Sequence, residues 1–303
     1  MKTKISSIGI VISGILIIIT GFLVSSRPSA SLSGLKSRID PWCDSLVGDL
    51  SKDISAGLGL DVLTNEIFWE KDAEKPWHIA SLTKLMVVLI AMEKVKSGEL
   101  GLEDTIEVTA DASRMGGAQV YLKKGERFPL RELLKATLVY SANDASYLIG
   151  EYIGGSKKEF VQMMNERAQQ MGLQNTRFWN MTGLPPSEDE DGYNVSTCRD
   201  MAILALEVIK YPTIRNLASI KTDCFRNGQF ELVSRNTLMK KCDLVDGLKT
   251  GYYREAGWNI VATSLMEEKK VIIIVLGAKS RFTRDHIARS LIEYTLNKPL
   301  AMR

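Results

Sequence analysis

The chain has 303 residues, 45% hydrophobic and 25% charged, which suits one large core with at most an appendage. A net charge of +3 with no long basic run excludes a nucleic-acid-binding footprint. There are only two histidines, His78 and His286, and four cysteines without a C-x-x-C spacing, so a histidine-ligated zinc site or a Ser-His-Asp triad has almost nothing to draw on, and no metal or cofactor is implied.

At the N-terminus, Lys2 and Lys4 precede an uncharged run from Ile5 to Val24, followed by Arg27-Pro28. A run of about 20 such residues is long enough to cross a bilayer as a helix. Val24-Ser25-Ser26 also offers a cleavage site, so residues 1–27 read as a signal peptide or a signal anchor. The basic residues ahead of the run keep the N-terminus inside and place the rest on the extracytoplasmic face of the cytoplasmic membrane. Residues 28–50, with Ser, Gly and Pro, read as a tether or a helix leading into the fold, and 51–303 as the folded domain.

Ala56–Leu63 and Ile67–Glu70 predict two strands joined at Thr64-Asn65-Glu66. Ser81 then opens a helix in which Leu82, Leu85, Met86, Leu89, Met92 and Val95 recur at helical spacing. Val87, Val88 and Ile90 fill its other side, so this helix is buried all round. It ends at Ser97-Gly98, with Lys94 and Lys96 in the last turn. The order Ser81-Leu82-Thr83-Lys84 puts a hydroxyl and an amine one turn apart on the same face. A serine becomes a nucleophile when a base takes its proton, and a lysine serves as that base when burial or nearby cations lower its pKa. The helix N-terminus adds free N–H groups and a positive dipole end. Taken alone, the tetrapeptide reads more readily as a helix cap followed by a solvated lysine.

Pro129 opens a second helix through Leu130, Leu133, Leu134 and Leu138 to Tyr140. It stops at Ser141-Ala142-Asn143-Asp144, and another helix runs from Ala145 to Ile153. Ser141 and Asn143 therefore stand on a turn, where they either cap the helices or project into a cleft. Phe160–Met171 is a helix ended by Gly172. Glu188-Asp189-Glu190-Asp191 reads as a solvated loop. Thr197 caps a helix with Asp200 at capping-box spacing.

Val245–Tyr253, Trp258–Ser264 and Val271–Gly277 form a β-meander, with a turn at Glu267-Glu268-Lys269-Lys270 and a closing helix over Arg284–Leu296. The first of these strands carries Lys249-Thr250-Gly251. Neighbouring strand residues face opposite sides, so Lys249 and Thr250 diverge unless the strand bends. Gly251 lets a substrate backbone lie against the strand edge. Cys224 and Cys242 are the one pair near enough for a disulfide, with free thiols as the alternative.

Ser-x-x-Lys, Ser-x-Asn and Lys-Thr-Gly occur in that order on a helix, a turn and a strand. With them stand Ile79-Ala80-Ser81, Asn175-Thr176-Arg177-Phe178, Val245-Asp246-Gly247-Leu248-Lys249 and Glu255-Ala256-Gly257. Over about Ala56 to Leu296 the sequence resembles the low-molecular-mass penicillin-binding proteins, the serine-type D-Ala-D-Ala carboxypeptidases. The resemblance implies an α+β, β-lactamase/transpeptidase-like fold: an antiparallel sheet of about five strands flanked by helices, an all-helical subdomain, and an N-terminal membrane helix. It implies peptidoglycan stem peptides ending in D-Ala-D-Ala as substrate and acylation by β-lactams. By the same resemblance Ser81 attacks the penultimate D-alanine carbonyl, Lys84 is the base, and Ser141 relays the proton to the leaving amine. Asn143 holds Lys84 and the substrate amide, while Lys249 helps keep Lys84 neutral. Thr250, Arg284 and Arg235 bind the terminal carboxylate, with Gly251 beside them, and the backbone N–H groups of Ser81 and Tyr252 form the oxyanion hole. Two residues depart from the family pattern: Ala142 replaces a glycine, and Tyr252 often a histidine. A class A β-lactamase shares the three motifs and needs a Glu-x-x-x-Asn, which Glu190 and Asn194 meet in bare spacing. A non-catalytic, membrane-anchored wall-binding protein is the remaining alternative.

Overall fold

The computed structural model describes residues 34–186, 191–266 and 268–297. The signal segment and Glu188-Asp189-Glu190 lie outside the described residues.

The core is set by one strand without polar alternation, β12 (Lys270–Ala278), which is apolar at nearly every position. Such a strand is stable only when both faces are covered. Ile272, Ile274 and Leu276 enter one core, and Val271, Ile273 and Val275 enter the other. On one side β12 pairs antiparallel with β2 (Ala56–Asp61), which pairs with β3 (Glu66–Lys71). On the other it pairs with β11 (Gly257–Leu265), and β11 with β10 (Gly247–Tyr253), which is left as an edge strand. These are the five expected antiparallel strands. A sixth, β1 (Lys36–Ser37), adds parallel to β3.

Of the two readings of residues 28–50, a tether or a helix leading into the fold, the helix is present and a short strand precedes it. Lys36–Ser37 is sheet, and the next segment is α1 (Pro41–Val47), with Asp40 accepting from the Trp42 N–H as its N-cap. α1 packs on α9 (Arg281–Asn297), burying Cys43 and Val47, while the Tyr294 hydroxyl donates to the Asp40 carboxylate at 3.0 Å. From residue 36 onward this stretch is therefore part of the domain.

α9 covers one face of the sheet. The other is covered by α7 (Cys198–Val208), against which α2 (Lys84–Ser97) packs in turn. α2 is buried from Lys84 through Met92, as its apolar sequence requires. Beyond it lies the helical part: α3 (Ala110–Ser113), α4 (Leu130–Lys135), α5 (Asn143–Gly154) and α6 (Lys157–Gln170). Two short pairings accompany these helices, β4 (Trp77–His78) with β7 (Val195–Ser196), and β5 (Thr105–Glu107) with β6 (Arg127–Pro129). A short α8 (Pro212–Ala218) and the hairpin β8 (Thr222–Phe225) with β9 (Phe230–Val233) complete the described elements.

No disulfide forms between Cys224 and Cys242. All four cysteines are free. Cys224 lies on the exposed face of β8 opposite Glu231, whereas Cys242 is buried in the α9-side core with Cys43.

Candidate active site

Ser81 is placed by a strained turn rather than by the first turn of α2. Ala80–Thr83 is a 3-10 turn, and α2 begins at Lys84. Ala80 has φ of +47°, a left-handed value that non-glycine residues rarely adopt. Three contacts hold it there. Thr83 Oγ1 donates to the Ala80 carbonyl at 2.8 Å, and Asn194 Nδ2 donates to Thr83 Oγ1 at 2.9 Å. Gly183, itself at φ +77°, lies so close beneath that a Cβ there would sit 2.0 Å from the Ala80 oxygen.

Lys84 is fully buried. Its Nζ lies 2.7 Å from Asn143 Oδ1, 2.5 Å from the Thr182 carbonyl and 3.0 Å from Ser81 Oγ. Burial lowers the amine's pKa well below the ordinary lysine value, the charge of Lys249 lowers it further, and Asp144 opposes both. Of the two causes expected from the sequence, burial is the larger and the like charge of Lys249 the smaller. A neutral amine has two hydrogens and one lone pair. Two carbonyl acceptors take the hydrogens, so the lone pair is left facing Ser81 Oγ, the geometry of a general base toward a hydroxyl nucleophile.

Ser141 is presented by a widened last turn. After α4 the chain makes one π turn, Ala136–Tyr140, and Ser141 follows at φ +65°. Its Oγ accepts from Lys249 Nζ at 2.8 Å. Asn143 opens α5, donating its side-chain amide to the Gly116 carbonyl at 2.7 Å while its Oδ1 receives Lys84. Between them, Ala142 sits at φ −59°, which any residue adopts, so alanine in the glycine position carries no backbone strain. The next residue, Asp144, accepts from the N–H groups of Val120, Leu122 and Ala145, fixing the loop that lines the cleft. Burial nevertheless raises its pKa, and those hydrogen bonds only partly offset this.

From the other wall, β10 brings Lys249, Thr250 and Gly251. Lys249 pairs with Val261 and Thr250 with Ile260, residues of opposite cores, so the two side chains diverge as the strand period requires. Lys249 Nζ also donates to the Thr250 carbonyl at 2.9 Å. Burial, then the charges of Arg235 and Arg284, lower its pKa to about 7. Gly251 is needed for a reason the sequence did not reveal: a Cβ would stand 2.8 Å from the Ile79 carbonyl and 3.0 Å from the Ser81 nitrogen. It lets the strand close against the nucleophile turn, bringing the Tyr252 backbone alongside it. The Tyr252 ring is 52% exposed and stacks on Trp258 at 4.0 Å.

The two arginines differ. Arg284, in the first turn of α9, is buried, and its Nε and Nη2 donate to Asp285 at 2.8 and 2.5 Å. Arg235 is exposed at the rim, over the Tyr140 ring at 4.3 Å. Its positive field at Lys249 is the larger of the two.

Residues 51–280 match the family described as D-alanyl-D-alanine carboxypeptidase. The chain belongs to that family. The D-alanyl-D-alanine carboxypeptidase DacF of Bacillus subtilis is 33% identical over 82% of this chain and 64% of its own length. The chain therefore spans under two thirds of that relative. A D-alanyl-D-alanine endopeptidase of Haemophilus influenzae is 30% identical over 77% of this chain and 78% of its own. Penicillin-binding protein D2 of Listeria monocytogenes, solved with ampicillin bound, superposes with a TM-score of 0.72 at 30% identity, covering 81% of this chain and 98% of that one.

In this member of the carboxypeptidase family, the loop under Ser81 carries no signal in the sequence. Asn180 Oδ1 gathers the N–H groups of Thr182 and Gly183, which aims the Thr182 carbonyl at Lys84. Asn194, considered for a lactamase motif, is spent on this brace: its Oδ1 accepts from the Trp179 and Asn180 N–H groups and its Nδ2 donates to Thr83 and Asn180. Asp200 is also reassigned. Its backbone N–H is capped by Thr197, but its carboxylate accepts from Asn175 N and Thr176 Oγ1 rather than returning to the cap.

Proposed function

We propose that this chain is a serine D-Ala-D-Ala carboxypeptidase acting on peptidoglycan stem peptides, and that β-lactams acylate it at Ser81. The observation that carries the reading is the Lys84 amine, buried, lowered in pKa and hydrogen-bonded so that its lone pair meets Ser81 Oγ at 3.0 Å. Ser81 attacks the penultimate alanine carbonyl, and its proton passes to Lys84. The N–H groups of Ser81 and Tyr252 hold the oxyanion, a contribution of roughly 3–4 kcal/mol per donor. Ser141, hydrogen-bonded to Lys249, relays the proton taken up by Lys84 to the leaving amine, which leaves Lys84 neutral again. Thr250, Arg235 and Arg284 hold the terminal carboxylate of the departing D-alanine, Lys249 adds positive potential, and Asn143 holds the amide of the acyl side. Water, deprotonated by Lys84, then hydrolyses the ester and frees Ser81.

Action outside the cytoplasmic membrane follows from this substrate, with the uncharged run Ile5 to Val24 as export signal or membrane anchor. The likeness to the Haemophilus endopeptidase supports a second use of the same acyl-enzyme, cleavage of a cross-linked D-alanyl bond. The test is D-alanine release from a diacylated tripeptide ending in D-Ala-D-Ala. Wild-type protein is expected to release it, and Ser81→Ala to fall to background. Cleavage of cross-linked dimers without release from the tripeptide would favour the endopeptidase, and rapid penicillin turnover without either would favour a β-lactamase.

A further inference from the structure

One cation stands outside the catalytic groups with most of its side chain covered. Arg226, 15% exposed, is at the tip of the β8–β9 hairpin, where it, Asn227 and Gly228 all have left-handed φ values. Its Nη1 donates to the Val120 carbonyl and its Nη2 to the Tyr121 carbonyl, both at 2.7 Å. Nε and Nη2 also hold the Glu126 carboxylate, at 3.1 and 2.5 Å. That bond keeps the Glu126 carboxyl below the usual range, so the pair is charged. The guanidinium lies over Phe128 at 5.4 Å and Phe225 at 5.6 Å, and these rings stack on each other at 4.8 Å. A planar group with five donors serves all these partners at once, which the compact ammonium of a lysine does not.

The same stretch of loop is also held by an anion. The Val120 and Leu122 N–H groups donate to the Asp144 carboxylate at 3.1 and 3.0 Å. Between them Tyr121 has φ of +57°, a conformation that an aromatic residue keeps only when its surroundings impose it. The N–H groups of this stretch face a carboxylate and its carbonyls a guanidinium, so charges of opposite sign hold it. The hairpin adds an apolar contact. Phe230 meets the Tyr121 ring at 6.1 Å and that of Tyr140, the residue before Ser141, at 5.3 Å, both edge-on.

From this loop the contacts run to the base. The Ala118 carbonyl accepts from the Asn143 N–H at 2.6 Å, and the Gly116 carbonyl from Asn143 Nδ2 at 2.7 Å. Asn143 Oδ1 in turn accepts from Lys84 Nζ at 2.7 Å, one of the two bonds that leave the lysine lone pair to Ser81. Asp144 is the next residue, so a shift of Val120–Leu122 disturbs both residues at the start of α5. We propose that Arg226 is a positioning residue for the Lys84 base: it holds loop 116–122 in the arrangement that aims Asn143 Oδ1 at Lys84. Its own bonds go to the loop backbone and Glu126, so it acts through Asn143. This rests on the carboxypeptidase reading and adds a residue to it.

The test follows penicillin labelling of the full chain against time. The amplitude counts folded sites, and the rate constant reports Lys84 acting on Ser81. Arg226→Gln is expected to keep the wild-type amplitude and to lower the rate constant roughly 10–100-fold. Arg226→Lys, which keeps the charge without the planar fork, is expected to fall between the two. In D-alanine release the loss is expected in kcat, with KM unchanged, because Arg226 does not meet the substrate. A merely structural role would lower the amplitude and leave the rate constant of the labelled fraction at the wild-type value. That result in both variants, or a rise in KM alone, would overturn the positioning role and leave the carboxypeptidase standing. Absence of labelling and of D-alanine release in the wild type would remove the carboxypeptidase reading, and the positioning role with it.

Discussion

Lys249 makes contact with Ser141 and feels the fields of Arg235 and Arg284, and these with its burial bring its pKa to about 7. In the proposed mechanism its charged form supplies the positive potential that draws a substrate carboxylate. Its loss with rising pH therefore gives the free enzyme an alkaline limb in kcat/KM near that value, while protonation of Lys84 gives the acid limb. The sign of a nearby mutation follows. Arg235 repels the Lys249 proton, so Arg235→Gln favours the ammonium form and raises its pKa. The alkaline limb, measured by D-alanine release from about pH 6 to pH 10, is expected to move to higher pH even as KM rises. A limb that stays put or moves down would show that Arg235 does not set the charge of Lys249. The chemical types at this scale were legible in the sequence, since Ser81, Lys84, Ser141, Asn143 and Lys249 all stand in the cleft. The ranking of causes was not, because burial of Lys84 depends on helices and loops far apart in the chain.

At the scale of elements, the placement of Ser81 and Ser141 depends on irregular backbone: the left-handed Ala80, the π turn before Ser141, and the Asn180–Gly183 loop beneath. Gly183 is the tightest point. A methyl group there meets the Ala80 oxygen at 2.0 Å and the Ser81 nitrogen at 2.9 Å, at a φ that disfavours any side chain. Gly183→Ala is therefore expected to cost about 2–4 kcal/mol in urea unfolding and to slow acylation, since the Ala80–Ser81 turn must move. An unfolding midpoint equal to the wild type would show that this packing is not tight. Regular elements were legible because their signals are periodic: the limits of α2 and the order β10, β11, β12 were read to within a few residues. The hairpin β8–β9 was missed although Asn227-Gly228 marks its turn, because its strands are short and polar. The Asn180–Gly183 loop was missed for another reason. Its function is a carbonyl direction, and no side-chain pattern encodes that.

For the whole molecule, the site exists only where two bodies of secondary structure meet. Ser81, Lys84, Ser141 and Asn143 belong to the helical side, and Lys249, Thr250, Gly251 and Arg284 to β10 and α9. The Lys249–Ser141 hydrogen bond and the close passage of Gly251 over the Ser81 nitrogen join them. The three motifs in order revealed which residues meet. The cover of residues 36–47 on the sheet edge and α9 was not legible, since a two-residue strand and a seven-residue helix have too little periodicity to separate from a tether. In the proposed mechanism the buried Lys84 makes Ser81 the covalent nucleophile. This is tested most directly by incubating the full chain with a penicillin and mapping the adduct by peptide mass. One penicilloyl group on the peptide carrying Ser81 is expected in the wild type, with none in Ser81→Ala and a rate lowered at least about 100-fold in Lys84→Met. An adduct on another residue, or undiminished labelling in Lys84→Met, would contradict it.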